Sequence, residues 1–364
     1  MKKTILVLVN SDIVIYNFRL ELVESLLKEG YDVTIISPYG KRIEYLKEMG
    51  CNFYELAIER HGKNPFKELK LLKEYKKIIK KIQPMVVLTY TVKPNVYGGM
   101  ACQSLKVPYI ANVTGLGDAI ERGGLLQKIT LYLYKKGLRG ATKVFFQNQE
   151  NQEFFLDKKV VKDNYALLPG SGVSLQRFPY CSYPIRTDEI RILFVGRITK
   201  DKGVYELAKA IPIIRGSYPK ISFDIVGALE MEKNPFEGIE GCAYHGAQLH
   251  IVPFLNKCHG IVLPSYHEGM ANVLLEAAAC GRPIIASNVP GCKETFDEGI
   301  TGFGFEPKDV DSLCAAIEKF IHLPYEEKSK MGKLGREKME EQFDRQIVVN
   351  RYLEEINSLK DENI

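Results

Sequence analysis

The sequence predicts an α/β protein made of two doubly wound halves, each a parallel sheet covered on both faces. Three observations lead there. The chain has 364 residues, and at roughly 100–200 residues per domain that suits two domains. It is 45% hydrophobic and 26% charged, enough apolar material for two packed cores and too much for a disordered chain. Short apolar runs alternate with helical patterns from one end to the other, which is how buried parallel strands joined by helices read.

Residues 5–9 are the first strand candidate. They follow two lysines and so imitate a secretion signal, but the apolar stretch covers five residues and runs into Asn10-Ser11-Asp12. An amphipathic helix over 20–28, a stop at Gly30 and a strand at 33–36 come next. Strands at 86–90, 109–113 and 144–147 and a helix at 96–105 complete the first half. The second half repeats the scheme, with strands at 191–195, 223–226, 260–263 and 283–287 and helices at 204–214, 252–258 and 273–279. A last helix spans about 344–359. The expected division is 1–170, a linker at 171–186 rich in Pro, Gly, Ser and Tyr, and 187–344, with 345–364 a candidate to pack back on the first domain.

Composition excludes several functions. Eight cysteines are scattered without a Cys-x-x-Cys pair, and six histidines form no His-x-x-x-His pair, so neither a disulfide framework nor a zinc site is expected. No apolar run approaches the ~20 residues of a membrane span. A cytoplasmic protein is expected. Its net charge of +5 is uneven: residues 1–180 carry 28 Lys and Arg against 17 Asp and Glu, and residues 181–364 carry 22 against 28. The basic half points to an anionic surface or partner. No nucleic-acid recognition motif is present.

In open α/β sheets ligands bind at the carboxyl ends of strands, so the loops there hold the chemistry. The first such loop is Gly196-Arg197-Ile198-Thr199-Lys200-Asp201-Lys202-Gly203. Glycine allows close backbone approach, Arg197 offers a planar donor fork and Lys202 a mobile charge, and a helix opens behind them. The set suits a diphosphate. The second loop runs from Leu263 through Glu268-Gly269-Met270-Ala271-Asn272 to Glu276. A carboxylate is acceptor-only and can hold a vicinal diol, so Glu276 suits ribose and Glu268 a sugar hydroxyl. Glu276 sits among apolar neighbours, where a carboxylate is costly unless it is satisfied. The amides of Gly269, Met270, Ala271 and Asn272 are expected to point at the same ligand.

These two loops, Gly196-Arg197…Lys202-Gly203 and Glu268…Glu276, resemble the marks of the retaining GT-B glycosyltransferases of family 4. The likeness extends to Gly170-Ser171-Gly172-Val173, Gly281-Arg282-Pro283 and Gly291-Cys292-Lys293-Glu294. The first half, in Tyr16-Asn17-Phe18-Arg19, Thr91-Val92-Lys93-Pro94-Asn95 and Thr114-Gly115-Leu116-Gly117, is similar to enzymes that extend undecaprenyl-diphosphate-linked sugars, N-acetylgalactosaminyltransferases among them. The resemblance implies two Rossmann-like domains facing across a cleft and no cofactor or metal. It implies a UDP-sugar in the second domain, held by Gly196, Arg197, Lys202, Glu268, Gly269, Met270, Ala271, Asn272 and Glu276, with Glu268, Arg197 and Lys202 catalytic. Tyr16, Asn17, Arg19, Lys93, Asn95, Thr114 and Gly115 are its acceptor-side candidates, facing a lipid-linked saccharide. Many relatives carry histidine where Thr114 stands; a threonine cannot serve as a base near neutral pH, and Asp118 is the nearest carboxylate. A UDP-sugar 2-epimerase, a transferase using UDP-hexose or GDP-mannose, and a non-catalytic scaffold remain alternatives.

One pattern lies outside those motifs. Residues 61–82 hold eight lysines, Lys63 the first, against two glutamates, with Phe66, Leu69, Leu72, Tyr75, Ile78, Ile79 and Ile82 at helical spacing. Residues 125–143 repeat the theme. Lys70, Lys73, Lys77, Lys135, Lys136 and Arg139 are candidates to face an anionic membrane on the inner side of the plasma membrane. A stripe packed on the sheet beneath a wet lysine face would look the same.

Overall fold

The computed structural model describes residues 3–58, 64–117, 120, 123–186 and 188–361; Lys63 and Asp118 lie outside them. The chain divides into two compact units, Met1–Ser171 with Gln346–Ile364, and Gly172–Arg345. Each is built on one parallel sheet.

The first unit holds strands β1 (Thr4–Leu8), β2 (Asp32–Ser37), β3 (Asn52–Glu55), β4 (Val86–Tyr90), β5 (Tyr109–Val113), β6 (Lys143–Phe146) and β7 (Tyr165–Leu167). Their order across the sheet is β3-β2-β1-β4-β5-β6-β7, every pair parallel. Every residue of β4 and β5 is buried, the mark of a sheet covered on both faces. The helices are α1 (Asp12–Phe18), α2 (Leu20–Lys28), α3 (Ile43–Glu48), α4 (Pro65–Ile82), α5 (Gly99–Leu105), α6 (Gly124–Leu138) and α7 (Gln149–Asp157). Leu22, Val23 and Leu26 of α2 join Ile5, Val7, Val33 and Ile35 in one core, while Tyr75 and Ile78 of α4 and Tyr134 and Leu138 of α6 join Leu6, Val87 and Ala111 in the other.

The helix expected over 96–105 opens instead with a π-helical turn, Pro94–Gly98. Gly99 then lies so close to α6 that a Cβ there would come within 2.1 Å of the Gly137 carbonyl oxygen. The helix expected to run on to 143 ends at Leu138, because Lys143 begins β6.

The second unit holds β8 (Ile190–Val195), β9 (Ile221–Val226), β10 (Cys242–Tyr244), β11 (Gly260–Leu263), β12 (Ile284–Ser287) and β13 (Gly302–Phe305), in the order β10-β9-β8-β11-β12-β13. Its helices are α8 (Val204–Ser217), α9 (Val252–Leu255), α10 (Asn272–Ala279), α11 (Val310–His322) and α12 (Tyr325–Gln342). Residues 172–186, expected as a linker, belong to this unit. Val173 bridges to Asp344, the Tyr183 hydroxyl donates to the His259 carbonyl at 2.9 Å, and the buried Arg282 guanidinium donates to the carbonyls of Leu255 and Ser182. The final helix, α13 (Arg345–Asp361), places Val348, Val349, Tyr352, Ile356 and Leu359 in the core of the first unit.

Candidate active site

In the second unit the two loops identified from sequence leave neighbouring strands, since β8 pairs directly with β11. After Val195 the chain passes Gly196 and Arg197, makes a 3₁₀ turn over Lys200–Lys202, and enters α8 at Gly203. Gly203 has φ +66°, and a Cβ there would sit 2.0 Å from the Pro264 carbonyl oxygen, so only glycine lets the two loops touch.

That contact brings Lys202 to Glu268. The lysine Nζ donates to Glu268 Oε1, and the side chains are 15% and 14% exposed. The Ser265 hydroxyl donates to the same oxygen at 2.7 Å, and the Ser287 hydroxyl donates to the Ser265 carbonyl. A carboxylate held by an ammonium and a hydroxyl on one oxygen has a fixed plane, and its orientation is set by buried serines.

Arg197 is held differently. Its guanidinium lies 3.1 Å from Glu230 and 4.0 Å from Asp201, and all three side chains are about half exposed. Ion pairs this wet contribute little, so an incoming anion can take the guanidinium at small cost.

Glu276 occupies the second turn of α10, between Leu274, Leu275, Ala277 and Ala278, all buried. Burial pushes its carboxyl up to about 7, against the pull of Arg345 and then Arg177. Such a shift on the helix that follows the Glu268 loop is a mark of a functional carboxyl.

The backbone corrects one expectation. The Ala271 amide donates to the Gly291 carbonyl at 2.7 Å, and the Asn272 amide to the Met270 carbonyl at 2.9 Å. Both are spent on fastening this loop, and the Met270 side chain is buried, so Ala271 and Asn272 do not present their N–H groups to a ligand. Asn272 Oδ1 is buried without a partner.

In the first unit the acceptor-side candidates separate. Asn95 is fully buried and its amide is used: Thr89 Oγ1 donates to Asn95 Oδ1 at 2.7 Å, and Asn95 Nδ2 donates to the Asn112 carbonyl at 2.8 Å. It holds the ends of β4 and β5 together rather than facing a ligand. Arg19 is 2% exposed, beneath the rings of Tyr90 and Tyr352, and donates to the Phe18 carbonyl. It too is turned inward. Tyr16, Asn17, Lys93, Thr114 and Gly115 keep partial exposure at the carboxyl ends of the strands. Lys93 forms a 2.5 Å ion pair with Glu68, a residue that sequence reasoning did not single out.

Residues 182–338 match the family described as Glycosyl transferases group 1, and residues 4–148 match Glycosyl transferase 4-like. The chain is a GT-B glycosyltransferase of family 4. The glycosyltransferase is 28% identical to the N,N'-diacetylbacillosaminyl-diphospho-undecaprenol alpha-1,3-N-acetylgalactosaminyltransferase of Campylobacter jejuni, across 93% of this chain and 94% of that one. It is 27% identical to the capsular polysaccharide biosynthesis glycosyltransferase CapM of Staphylococcus aureus, across 90% of each. Among solved structures, a Rickettsia africae glycosyltransferase superposes with a TM-score of 0.80 at 20% identity, covering 98% of both chains. HepE of Anabaena, in complex with UDP and glucose, superposes with a TM-score of 0.78 at 16% identity, covering 98% of this chain and 99% of that one.

Sequence reasoning reached Arg197, Lys202, Glu268 and Glu276 but missed Ser265, Ser287 and Glu230. Ser265 carried a signal, since a hydroxyl three residues before a loop carboxylate can reach it. Ser287 and Glu230 are distant in sequence and carried none.

Proposed function

We propose that this glycosyltransferase moves an N-acetylhexosamine from a UDP-sugar to a saccharide linked to a polyprenyl diphosphate, with retention at the anomeric carbon. The observation that carries the donor half is the convergence of Lys202, Glu268 and Arg197 on adjoining loops, with the raised carboxyl of Glu276 on the helix that follows. Arg197 exchanges its wet partners Glu230 and Asp201 for the diphosphate. Lys202 turns from Glu268 toward the same anion. As the bond from sugar to diphosphate breaks, negative charge grows on the departing oxygen, and these two cations stabilise it. Glu268, its plane fixed by Ser265, accepts from a sugar hydroxyl, and Glu276 accepts from the ribose diol. Thr114 cannot remove the acceptor's proton near neutral pH, so the proton goes to the departing phosphate oxygen on the face where the new bond forms. Arg197 and Lys202 supply the neutralisation, and transfer is expected to persist in excess chelator.

The acceptor half rests on the Campylobacter relative, whose name specifies a diphospho-undecaprenol-linked saccharide and an N-acetylgalactosaminyl group. HepE, solved with UDP and with UDP-glucose, supports a uridine nucleotide. The first unit adds a surface for the lipid. The apolar stripe of α4 divides: Tyr75, Ile78 and Ile79 pack on the sheet, while Phe66 and Leu69 near its start are 84% and 52% exposed. On α6, Leu125, Ile129 and Tyr132 are exposed as well. Lys70, Lys73, Lys77, Lys135, Lys136 and Arg139 are all exposed around them. Apolar side chains ringed by lysines suit the face of an anionic bilayer, and no helix among the described residues is long and apolar enough to cross one. We therefore read the enzyme as peripheral on that surface.

The test is transfer of radiolabel from a panel of nucleotide sugars into a lipid-extractable product. A UDP-N-acetylhexosamine is expected to label it, and Arg197→Ala and Glu276→Ala to abolish the labelling. Conversion of the nucleotide sugar without any lipid acceptor would contradict the reading.

A further inference from the structure

One face of the second sheet carries charge where a parallel sheet calls for apolar side chains. Leu193 of β8 and Ala243 of β10 both pair with Asp224 of β9. Side chains alternate along a strand, so Arg191, two residues before Leu193, and His245, two after Ala243, stand on the face of Asp224. With Pro253 and Phe254 of α9 and Lys257 just beyond it, these three line a cavity of about 130 Å³. None of the six belongs to the loops that carry Arg197 and Glu268. Charges placed on such a face are costly to desolvate unless they are well partnered.

Here they are partnered unevenly. An ionised carboxylate only accepts, so His245 Nε2 donates to Asp224 Oδ1, at 2.6 Å. The Phe254 ring lies 5.0 Å from the His245 ring, centroid to centroid, and holds it against the carboxylate. Arg191 Nε stands 3.6 Å from Asp224 Oδ2, beyond hydrogen-bond length. Among the described residues the Arg191 guanidinium makes no hydrogen bond and Lys257 no ion pair. The cavity therefore presents a guanidinium fork, an ammonium and one carboxylate oxygen to which no hydrogen is given.

We propose that this cavity binds inorganic hydrogenphosphate, its oxygens taken by Arg191 and Lys257 and its P–OH donating to Asp224 Oδ2. Each group selects one property of that ion. Arg191 reaches the cavity from β8 and Lys257 from the end of α9, so the ion needs oxygens on two sides. A tetrahedral oxyanion has them, and the guanidinium fork matches two of them at once. A carboxylate between cations repels an anion that has no hydrogen to give, and accepts from one that has. Hydrogenphosphate keeps a P–OH at neutral pH; sulfate does not. His245 acts through Asp224: by occupying Oδ1 it leaves Oδ2 for the ligand. The volume equals that of about four water molecules, room for one such ion. It is well below the roughly 300 Å³ at which pockets for larger ligands begin, so a nucleotide does not fit. The site does not depend on the transfer reaction proposed above.

The experiment is a calorimetric titration of the full chain with sodium phosphate and, in parallel, with sodium sulfate, at constant ionic strength and with UDP in excess. The wild type is expected to bind one phosphate per chain, and sulfate at least about tenfold more weakly, the size of a lost charged hydrogen bond. Arg191→Gln is expected to weaken phosphate binding by about tenfold or more. Asp224→Asn is expected to bring the two anions within about threefold of each other, because its amide no longer requires a hydrogen from the ligand. A merely structural Asp224 would leave that ratio unmoved. Lys257 is exposed, so Lys257→Met keeps the fold; it is expected to weaken phosphate severalfold and decides the matter if Asp224→Asn fails to fold. A wild type that binds no phosphate, that holds sulfate as tightly, or that releases phosphate as UDP is raised would overturn the site. So would phosphate affinity unchanged in both Arg191→Gln and Lys257→Met.

Discussion

Each unit places a lysine–glutamate pair just beyond the carboxyl end of a central parallel strand, and the two pairs are equally shielded but differently finished. In the second unit Glu268 takes both Lys202 and Ser265 on one oxygen, and Ser287 anchors Ser265 in turn. In the first unit Glu68 takes Lys93 on one oxygen, with the Tyr97 hydroxyl beside its carboxylate. The contrast separates two ways of preparing a polar site. Glu268 is pre-oriented by the protein, so a ligand finds a fixed geometry. Glu68 is neutralised by Lys93 with Tyr97 beside it, and its place is set by that charge pair rather than by a relay of serines.

The largest expected effect comes from the second unit. Arg197→Ala removes the charge proposed to meet the diphosphate, and Glu268→Gln breaks the pair with Lys202; each is expected to lower the turnover rate by about 100-fold or more. Ser265→Ala sharpens the comparison. It leaves both charges and removes only the hydroxyl that fixes them, so a loss of about tenfold is expected, and Ser265→Ala should add little to Glu268→Gln if both act through one carboxylate.

Glu276 gives a pH signature of its own. Its folded carboxyl is raised from 4.5 to about 7 by burial. Below pH 4.5 it is protonated in both the folded and unfolded chain. Between 4.5 and 7 the folded form keeps a proton that the unfolded form releases, so stability falls as pH rises through that window and is flat above it. Glu276→Gln removes the cost. Its melting temperature is expected to exceed that of the wild type by about 5 °C at pH 8 and to match it at pH 4.5. Donor affinity should move the other way, weakening about tenfold from pH 8 to pH 6 in the wild type as the carboxylate protonates, and staying level in Glu276→Gln.

The smallest effects lie on the outer face of the first unit. Lys70→Glu with Lys73→Glu is expected to weaken sedimentation with anionic vesicles by about 1 kcal/mol per charge, and added salt to do the same. Phe66→Ser should weaken it without changing the salt dependence. Binding to neutral vesicles of equal strength would remove the electrostatic part of this reading.

Much of this was legible in the sequence, and what was not has physical causes. Central strands such as β4, β5 and β11 are buried on both faces and so announce themselves as unbroken apolar runs. The edge strands do not: β3 reads Asn-Phe-Tyr-Glu, β7 and β10 have three residues each, and β13 is half glycine. Edges need fewer apolar residues, and pattern alone passes over them. In the loops after β8 and β11 the candidate residues sit in short runs, so Arg197, Lys202, Glu268 and Glu276 could be read directly. The assignment of Ala271 and Asn272 as amide donors was wrong because the loop at Gly291, nearly twenty residues on, claims the Ala271 amide. Asn95 and Arg19 stand in motifs yet face the core, which their neighbours in sequence do not reveal. Glu68 was hidden for the opposite reason. Amid the lysines of α4 it looks like one solvated charge among many, and only the fold carries it to Lys93.

The most direct test of the central claim is a calorimetric titration of the full chain with UDP-N-acetylgalactosamine, in the wild type, Arg197→Ala and Glu276→Ala. One site per chain is expected, with binding weakened at least about tenfold in each variant, the size of a lost charged hydrogen bond. Undiminished affinity in both variants would contradict the account.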